Sequence, residues 1–265
     1  MIFLKTDDEI ELLRQSNLLV GKTLAEVAKV IKPGVTTKEL DKVAEEYIRD
    51  NGATPTFKGF PNFKGASFPA SICTSVNEQV VHGIPGDVVL KEGDIVSVDC
   101  GTYMNGFCGD SAYTFPVGEV SDSVLHLLRT TKEALYKGIE NAVSGMRFGG
   151  IGCAVDEYCE KEAFGVVREF VGHGIGKEMH EDPMVPNYGK RGNGILLKNG
   201  LCIAIEPMIT LGDRHIVMES DGWTVRTVDR SCAAHFEHTI AIRKGKADIL
   251  SSFKFVEEVL GEKAI

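Results

Sequence analysis

The chain lacks long hydrophobic runs, an excess of basic residues and cysteine pairs of the zinc-binding kind. No apolar run approaches the roughly 20 residues of a membrane span, and the start, MIFLKTDDEIELLRQ, is unlike a secretory signal. The net charge of −9 argues against general binding to nucleic acid or anionic membranes. Seven cysteines without CxxC pairs are typical of reduced thiols, so we expect a cytoplasmic protein.

An ordinary globular composition is present, with 43% hydrophobic and 25% charged residues among 265. Thr6 with Glu9 forms a capping box before an amphipathic pattern that Pro33-Gly34 stops, and Thr36 with Glu39 opens a second helix. Strands dominate from about 70 to 116. The rest of the pattern predicts helices over about 121–143 and 151–164, strands and loops to about 249, and a short helix over about 253–260.

Two segments of the chain repeat each other. Residues 90–99 read LKEGDIVSVD and residues 197–206 read LKNGLCIAIE, so each has Leu-Lys-x-Gly, a strand, and an acid six residues after the glycine. The repeat predicts two related halves joined about a pseudo-twofold, unless it is a coincidence between two ordinary strands. We therefore predict a single domain over 1–265, with a first half of about 1–118, a second half of about 119–250 and a C-terminal tail over 251–265.

The dipeptide Asn105-Gly106 is the strongest short hairpin signal in the chain. A two-residue turn there pairs Asp110 with Gly101, which is two residues from Asp99 on the same strand face. The two acids are then diagonal neighbours with backbones about 7–8 Å apart. Carboxylates at this separation reach a pair of metal ions about 3.5–4 Å apart. The alternative is two solvated acids at a hairpin.

The second half supplies three further candidate ligands. The pseudo-twofold brings in Glu206, and Glu237, in HFEHTIAI, starts another strand-like run. His173 stands in GHGIG, where the glycines permit a backbone turn that aims the imidazole inward. A nucleotide-binding GxGxxG loop is not formed there, because Lys177 occupies the place of the last glycine. Four carboxylates and a neutral imidazole balance two divalent cations, which predicts a two-metal hydrolytic site.

The motifs VSVDCG, CGDSAYTF, GHGIG with MHEDP, IAIEPM and FEHTIAI occur in this order, and they resemble those of the type I methionine aminopeptidases. The similarity extends over nearly the whole chain. It implies the α/β (α+β) pita-bread fold, in which two pseudo-twofold-related halves each pack a helix pair on a curved, mostly antiparallel sheet. It also implies metal-dependent removal of the N-terminal methionine from nascent proteins and peptides whose second residue is small.

The resemblance implies a role for each candidate ligand. Asp99 would bind one metal ion with both oxygens, and Asp110 and Glu237 would bridge two ions. His173 and Glu206 would complete the other ion's site. The ligand types suit Mn²⁺, Fe²⁺, Co²⁺ or Zn²⁺ and leave the native metal open.

Substrate contacts also follow from the resemblance. His82, in VVHGIP, would lie near the scissile amide, and His180, in MHEDP, would hydrogen-bond the substrate carbonyl. Glu206 would pass a proton to the leaving amine, and Asn77 would lie near a structural monovalent cation. For Trp223, packing in the core is an equal alternative to a place at the rim of the pocket. The candidates for the methionine pocket are Phe60, Phe63, Cys73, Met179 and Trp223.

Two alternatives stay open at this point. One is another metal-dependent peptidase of the same fold, such as a proline-specific enzyme. The other is a non-catalytic relative that binds a protein or the ribosome. On the main interpretation, the expected partners are nascent polypeptide N-termini close to the ribosome. We expect a monomer that contacts neither nucleic acid nor membrane directly.

Overall fold

The computed structural model describes residues 1–62 and 65–265, and its helices follow the predicted order. Two come before the first long strand and two between the halves of the predicted repeat. The fifth lies near the C-terminus, where a 3₁₀ turn over Gly261–Lys263 follows it. No helix within these residues is long and apolar enough to cross a membrane. The helices are α1 (Asp7–Val30), α2 (Thr37–Asp50), α3 (Asp122–Glu140), α4 (Gly149–Lys161) and α5 (Lys254–Leu260).

The strands within the described residues form four sheets, and all pairings between named strands are antiparallel. The strands are β1 (Thr54–Pro55), β2 (Ile72–Val76), β3 (Gln79–Val81), β4 (Ile95–Met104), β5 (Phe107–Pro116), β6 (Gly165–Val166), β7 (Gly172–Gly174), β8 (Glu181–Val185), β9 (Cys202–Ile205), β10 (Met208–Thr210), β11 (Ile216–Met218), β12 (Val225–Thr227), β13 (Ala233–His235), β14 (His238–Ala241) and β15 (Asp248–Ile249).

Two of these sheets carry the segments that the repeat singled out. The first contains β1, β4 and β2 in that order, with β5 on β4, and the second runs β15-β14-β9-β7-β8. Gly93 and Gly200 occupy matching places in the repeat, before β4 and β9. Both have the left-handed backbone conformation, with φ of 89° and 87°, which glycine adopts without a steric penalty. The mixed α/β fold with antiparallel sheets is therefore confirmed, whereas the boundaries of the two halves stay predictions.

Capping fixes the starts of the first two helices. The side chain of Thr6 accepts a hydrogen bond from the Glu9 amide at 3.2 Å, and that of Thr36 accepts one from the Glu39 amide at 3.3 Å. Each glutamate returns a bond to the amide of its cap residue, which completes both predicted boxes. Helix α1 ends at Val30, three residues before Pro33.

The hairpin of β4 and β5 has the predicted register. Met104 pairs with Phe107 and Gly101 with Asp110. Asn105 and Gly106 both have positive φ, as a two-residue turn of this twist requires. Both faces of β4 are buried from Ile95 to Val98, next to Asp99. The carboxylates therefore lie inside the molecule.

The main core lies between the helices and these two sheets, and it includes Val98, Tyr113, Leu127 and Ile203. Helix α1 packs along β4 and β5, while α3 packs against α4. All seven cysteines are free thiols, in agreement with the absence of zinc-type pairs. The core therefore encloses the long hairpin and holds its two acidic positions in a fixed place.

We predict that Gly109→Ala destabilises the protein by about 1–3 kcal/mol, the usual cost of overpacking. A Cβ atom at Gly109 would lie 2.5 Å from the backbone carbon of Ser16 and 2.6 Å from the Asn17 nitrogen. Neither backbone atom can move without displacing α1 from β5. Thermal unfolding of metal-stripped protein measures the effect. Gly86→Ala is the control, because its nearest neighbour would be 3.9 Å away, and equal losses in both variants would contradict the prediction.

Candidate metal centre

One cleft collects the predicted ligands from both halves of the chain. Two of them lie on the β4–β5 hairpin and one on β7, while the other two follow the ends of β9 and β13. The same cleft is lined by both of the histidines that the sequence assigned to the substrate. The predicted ligands that line it are Asp99, Asp110, His173, Glu206 and Glu237.

Hydrogen bonds between the halves fix the backbone around two of these acids. The amide of Glu237 donates to the carbonyl of Ala112 at 3.0 Å, and the Ser111 hydroxyl donates to the carbonyl of Glu237 at 2.6 Å. The Thr239 hydroxyl donates to the carbonyl of Asp110 at 2.8 Å. These bonds join β5 to the junction of β13 and β14. These hydrogen bonds to the backbone therefore hold the two acids together against the repulsion between their like charges.

His173 and Glu206 are held by groups close to them. Asn187 is fully buried, and its side-chain amide donates to the carbonyl of Glu206 at 3.0 Å. Nδ1 of His173 lies 2.9 Å from the carbonyl oxygen of Gly174, which only an N–H can satisfy. Nε2 of His173 therefore carries a lone pair. It faces Oδ2 of Asp110 at 3.4 Å and Oε1 of Glu206 at 3.7 Å.

Burial dominates the electrostatics of this cleft. It raises the pKa of Asp99 to about 7 and that of Glu206 to about 8. Burial also holds the pKa values of Asp110 and Glu237 well above their usual range, and the neighbouring carboxylates add to both shifts. Burial lowers the pKa of His173 to about 3, so its ring is neutral at pH 7. Full ionisation of the acids requires a positive counter-charge.

The donor atoms of the cleft fit divalent metal ions. Among the described residues, Oδ1 of Asp99, Oδ1 of Asp110 and Oε1 of Glu237 are buried without a hydrogen-bond partner. Two sets of side chains bring their donor atoms within 4.8 Å of one another, and both contain Glu237. Carboxylate oxygen and imidazole nitrogen are suitable ligands for Mn²⁺, Fe²⁺, Co²⁺ and Zn²⁺. The sets are Asp110, His173 and Glu237, and Glu206, His235 and Glu237.

The two predicted substrate histidines lie at the edges of the acidic cluster. The ring of His180 is 4.4 Å from that of His173, between centroids, and 5.2 Å from that of Phe60. The ring of His82 contacts the edge of Phe170 at 5.3 Å. Burial lowers the pKa of His82 to about 4, so it is a neutral hydrogen-bonding group at pH 7. Both imidazoles can therefore contact a peptide bound in the cleft.

An apolar wall continues the cleft beyond the acids. Phe60, Cys73 and Trp223 belong to this wall as the sequence predicted, and Trp223 packs edge-on against Phe68 at 5.1 Å. Met179 is not among the residues that line this cleft; it belongs to a cluster with Phe107 against which Phe57 of the cleft wall also packs. Phe63, another predicted pocket residue, lies outside the described residues. The lining residues that the sequence did not single out are Phe57, Phe68, Val81, Phe170, Val171 and Met208.

Two polar residues of the centre were also missed. His235 stands two positions before Glu237, in the motif HFEHTIAI itself, so its place in the sequence could have marked it as a candidate. Asn187 has no comparable signal, since it contacts Glu206 only through the folding of a loop between β8 and β9. Both side chains are buried next to Glu206.

We predict that the metal-stripped protein loses thermal stability as the pH rises from about 6.5 to 8. Asp99 and Glu206 have folded pKa values of about 7 and 8, and the unfolded values are about 4. The folded state therefore binds more protons than the unfolded state in this window, so stability falls with pH. The folded pKa of His173, about 3, lies below its unfolded value of about 6.5. Above about pH 6.5 His173 is neutral in both the folded and the unfolded state, so it does not change how stability varies with pH.

The measurement is the melting temperature of the stripped protein and of the Mn²⁺-loaded protein at each pH. Metal binding replaces the protons on the carboxyl groups, so the loaded protein should lose the slope, and the gain from metal should grow with pH. A melting temperature of the stripped protein that stays level or rises over this window would show that the acids are already ionised.

Comparison with known proteins agrees with this site. Residues 11–244 match the model of metallopeptidase family M24. The chain is 51% identical to a methionine aminopeptidase of Clostridium acetobutylicum and to methionine aminopeptidase 1 of Bacillus subtilis, with 95% of this chain and 99% of each relative covered.

Solved structures give the same assignment. A methionine aminopeptidase from Thermotoga maritima superposes with a TM-score of 0.91 at 44% identity, covering 95% of this chain and all of that one. A Xaa-Pro dipeptidase from Bacillus anthracis shares the fold with a TM-score of 0.72 at 22% identity, over 62% of its own length. The chain belongs to metallopeptidase family M24 and, within it, to the methionine aminopeptidases.

Proposed function

We propose that this protein hydrolyses the peptide bond after an N-terminal methionine when the second residue is small. The observation that carries the proposal is the single cleft that joins the buried carboxylates, two histidines and an apolar wall. A hydrolytic centre and a pocket for an apolar side chain are therefore adjacent. The family to which the chain belongs supports the same reaction.

We propose that the centre holds two divalent ions, drawn from Mn²⁺, Fe²⁺, Co²⁺ and Zn²⁺. Support comes from Glu237, whose carboxylate lies within 4.8 Å of donor atoms of Asp110 and His173 in one set and of Glu206 in the other. Asp110 would be the second bridge and Asp99 a ligand of one ion, while His173 and Glu206 would hold the other. When bound, such ions polarise a peptide carbonyl and lower the pKa of water towards neutrality.

The protein's own side chains supply the remaining steps. The imidazole of His180 would donate a hydrogen bond to the oxygen of the scissile carbonyl as negative charge develops there. His82, which also lines the cleft, would hydrogen-bond the leaving amine. Glu206 would accept a proton at a carboxylate oxygen and pass it to that amine. These assignments agree with the position of each group at the edge of the acidic cluster.

Methionine selectivity would arise from the apolar wall. Phe60, Phe68 and Trp223 surround the space next to Cys73, and all four line the cleft. An unbranched thioether fills such an aromatic pocket well. A small second residue would be required, because rejection by steric clash discriminates better than apolar attraction.

The wider setting is also a proposal. Nascent polypeptide N-termini, met close to the ribosome in the cytoplasm, are the natural substrates of this reaction. We propose that the protein acts as a monomer and contacts neither nucleic acid nor membrane directly.

A monovalent cation beside Asn77 is a further proposal. The side chain of Asn77 already donates to Asp94 at 2.8 Å and accepts from the amide of Ile95 at 3.0 Å. Its left-handed backbone turns the loop sharply at this point. Any such ion would therefore take backbone carbonyl oxygens.

We predict that the metal-loaded protein releases methionine from Met-Ala-Ser but not from Met-Leu-Ser, and leaves Leu-Ala-Ser intact. Metal-stripped protein should be inactive and recover with Mn²⁺ or Co²⁺. Free amino acids are quantified after incubation. Cleavage of only Xaa-Pro peptides would favour the proline-specific alternative, and metal binding without any hydrolysis would favour a non-catalytic role.

Replacing either substrate histidine tests its assigned role. His180→Ala and His82→Ala should each lower kcat/KM for Met-Ala-Ser by about 10²-fold or more, with metal content unchanged. His126→Ala is the matched control, because that ring pairs with Glu162 on the protein surface at 3.0 Å. Full activity of either cleft variant would remove that histidine from the mechanism.

Trp223→Ala distinguishes a pocket wall from ordinary core packing. If Trp223 contacts the methionine side chain, KM should rise about tenfold, equivalent to about 1.4 kcal/mol, while kcat and the melting temperature change little. The ring is partly exposed and packs in a small cluster around Phe68, apart from the main core. A large fall in melting temperature with unchanged KM would instead identify a packing role.

A further inference from the structure

His235 is a buried polar residue that the proposed mechanism does not use. It ends β13, and only 1% of its surface is exposed. Its Nε2 atom lies 3.4 Å from Oε2 of Glu206 and makes no hydrogen bond with any residue that the structure describes. A buried ring nitrogen without a hydrogen-bond partner destabilises the folded protein. Its position next to a carboxylate therefore suggests a role at the metal centre.

The carboxylate of Glu206 lies between two imidazoles. Its Oε1 faces Nε2 of His173 at 3.7 Å, and its Oε2 faces Nε2 of His235 at 3.4 Å. The two rings differ in position, because His173 lines the cleft and His235 does not. His235 therefore approaches the carboxylate from outside the cleft, whereas His173 approaches from within it.

The backbone of His235 is held rigidly. Its amide donates to the hydroxyl of Thr114 at 2.9 Å, and that hydroxyl lies 2.7 Å from its carbonyl oxygen. The Thr114 hydroxyl is also 2.8 Å from that of Ser97, within the β4–β5 hairpin. On its other side, His235 pairs with Met208 of β10, two residues after Glu206. Ring and carboxylate are thus carried by adjoining, fixed strands.

We propose that His235 is a positioning residue for Glu206: when the centre holds metal, its Nε2–H donates to Oε2 and leaves Oε1 turned towards His173. This inference rests on the proposed metal centre. A carboxylate that binds a metal through one oxygen is normally hydrogen-bonded through the other, and losing such a partner weakens metal binding by about 10–100-fold.

A pair of amide substitutions separates this role from the alternatives. In His235→Gln the side-chain amide reaches about as far as Nε2, whereas in His235→Asn it stops about where Nδ1 lies. The two variants carry the same amide group and differ only in side-chain length. Any effect of placing an amide in the core is therefore the same in both. His235→Leu removes the donor altogether.

The experiment is calorimetric titration of each metal-stripped variant with Mn²⁺, together with the visible spectrum of the Co²⁺-loaded protein. His235→Gln should keep the affinity within about threefold of the unsubstituted protein and retain its Co²⁺ spectrum. His235→Asn and His235→Leu should lose affinity by about 10–100-fold. Melting temperatures show that each variant is folded before titration.

Two results would overturn the proposal. Unchanged affinity in His235→Asn and His235→Leu would mean that the contact with Glu206 has no effect on the metal. Equal loss in His235→Gln and His235→Asn, with an altered Co²⁺ spectrum in both, would mean that the ring binds the metal directly. Because the titration does not depend on peptide hydrolysis, inactivity towards Met-Ala-Ser would contradict the proposed function alone.

Discussion

The burial of four carboxyl groups in one cleft is the constraint on which the rest of this structure depends. Desolvation raises the pKa values of all four, and three of them hold buried oxygens without hydrogen-bond partners among the described residues. Such a cluster would disperse unless the backbone held it. Bonds to Thr239, Ser111 and Ala112 provide that support by joining the halves behind the acids. The fold therefore maintains a cluster of buried carboxyl groups that ionise fully only when cations are bound.

The register between β4 and β5 determines whether Asp110 faces the other carboxylates. A shift of one residue between β4 and β5 would turn Asp110 to the opposite face of the hairpin. The two-residue turn at Asn105-Gly106 prevents the shift, and Gly109 allows α1 to lie directly against β5. Local turn chemistry and one close helix–strand contact thus decide where a ligand points.

The difference between local and tertiary interactions explains which features could be predicted from the sequence. Capping boxes and the Asn-Gly turn act over a few residues, so the helix starts and the hairpin register could be inferred locally. The candidate ligands were inferred from the hairpin, the repeat and the glycines around His173, and the family resemblance assigned each of them a role. Asn187 reaches Glu206 only through tertiary folding, and Phe170 has no periodic signal. Met179 was assigned to the pocket by motif resemblance, whereas in the structure it packs in a neighbouring cluster with Phe107.

The ligands and the pocket wall occupy different kinds of structure. The acids are on strands or directly after them, and both halves hold them in place. Phe57, Phe60 and Trp223 stand in loops at the same cleft, where substitution leaves the strand register intact. A Xaa-Pro dipeptidase retains this fold at 22% identity. Changes in these loops would alter the cleft wall and leave the ligands in place, whereas losing a carboxylate would disturb the charge balance of the whole centre.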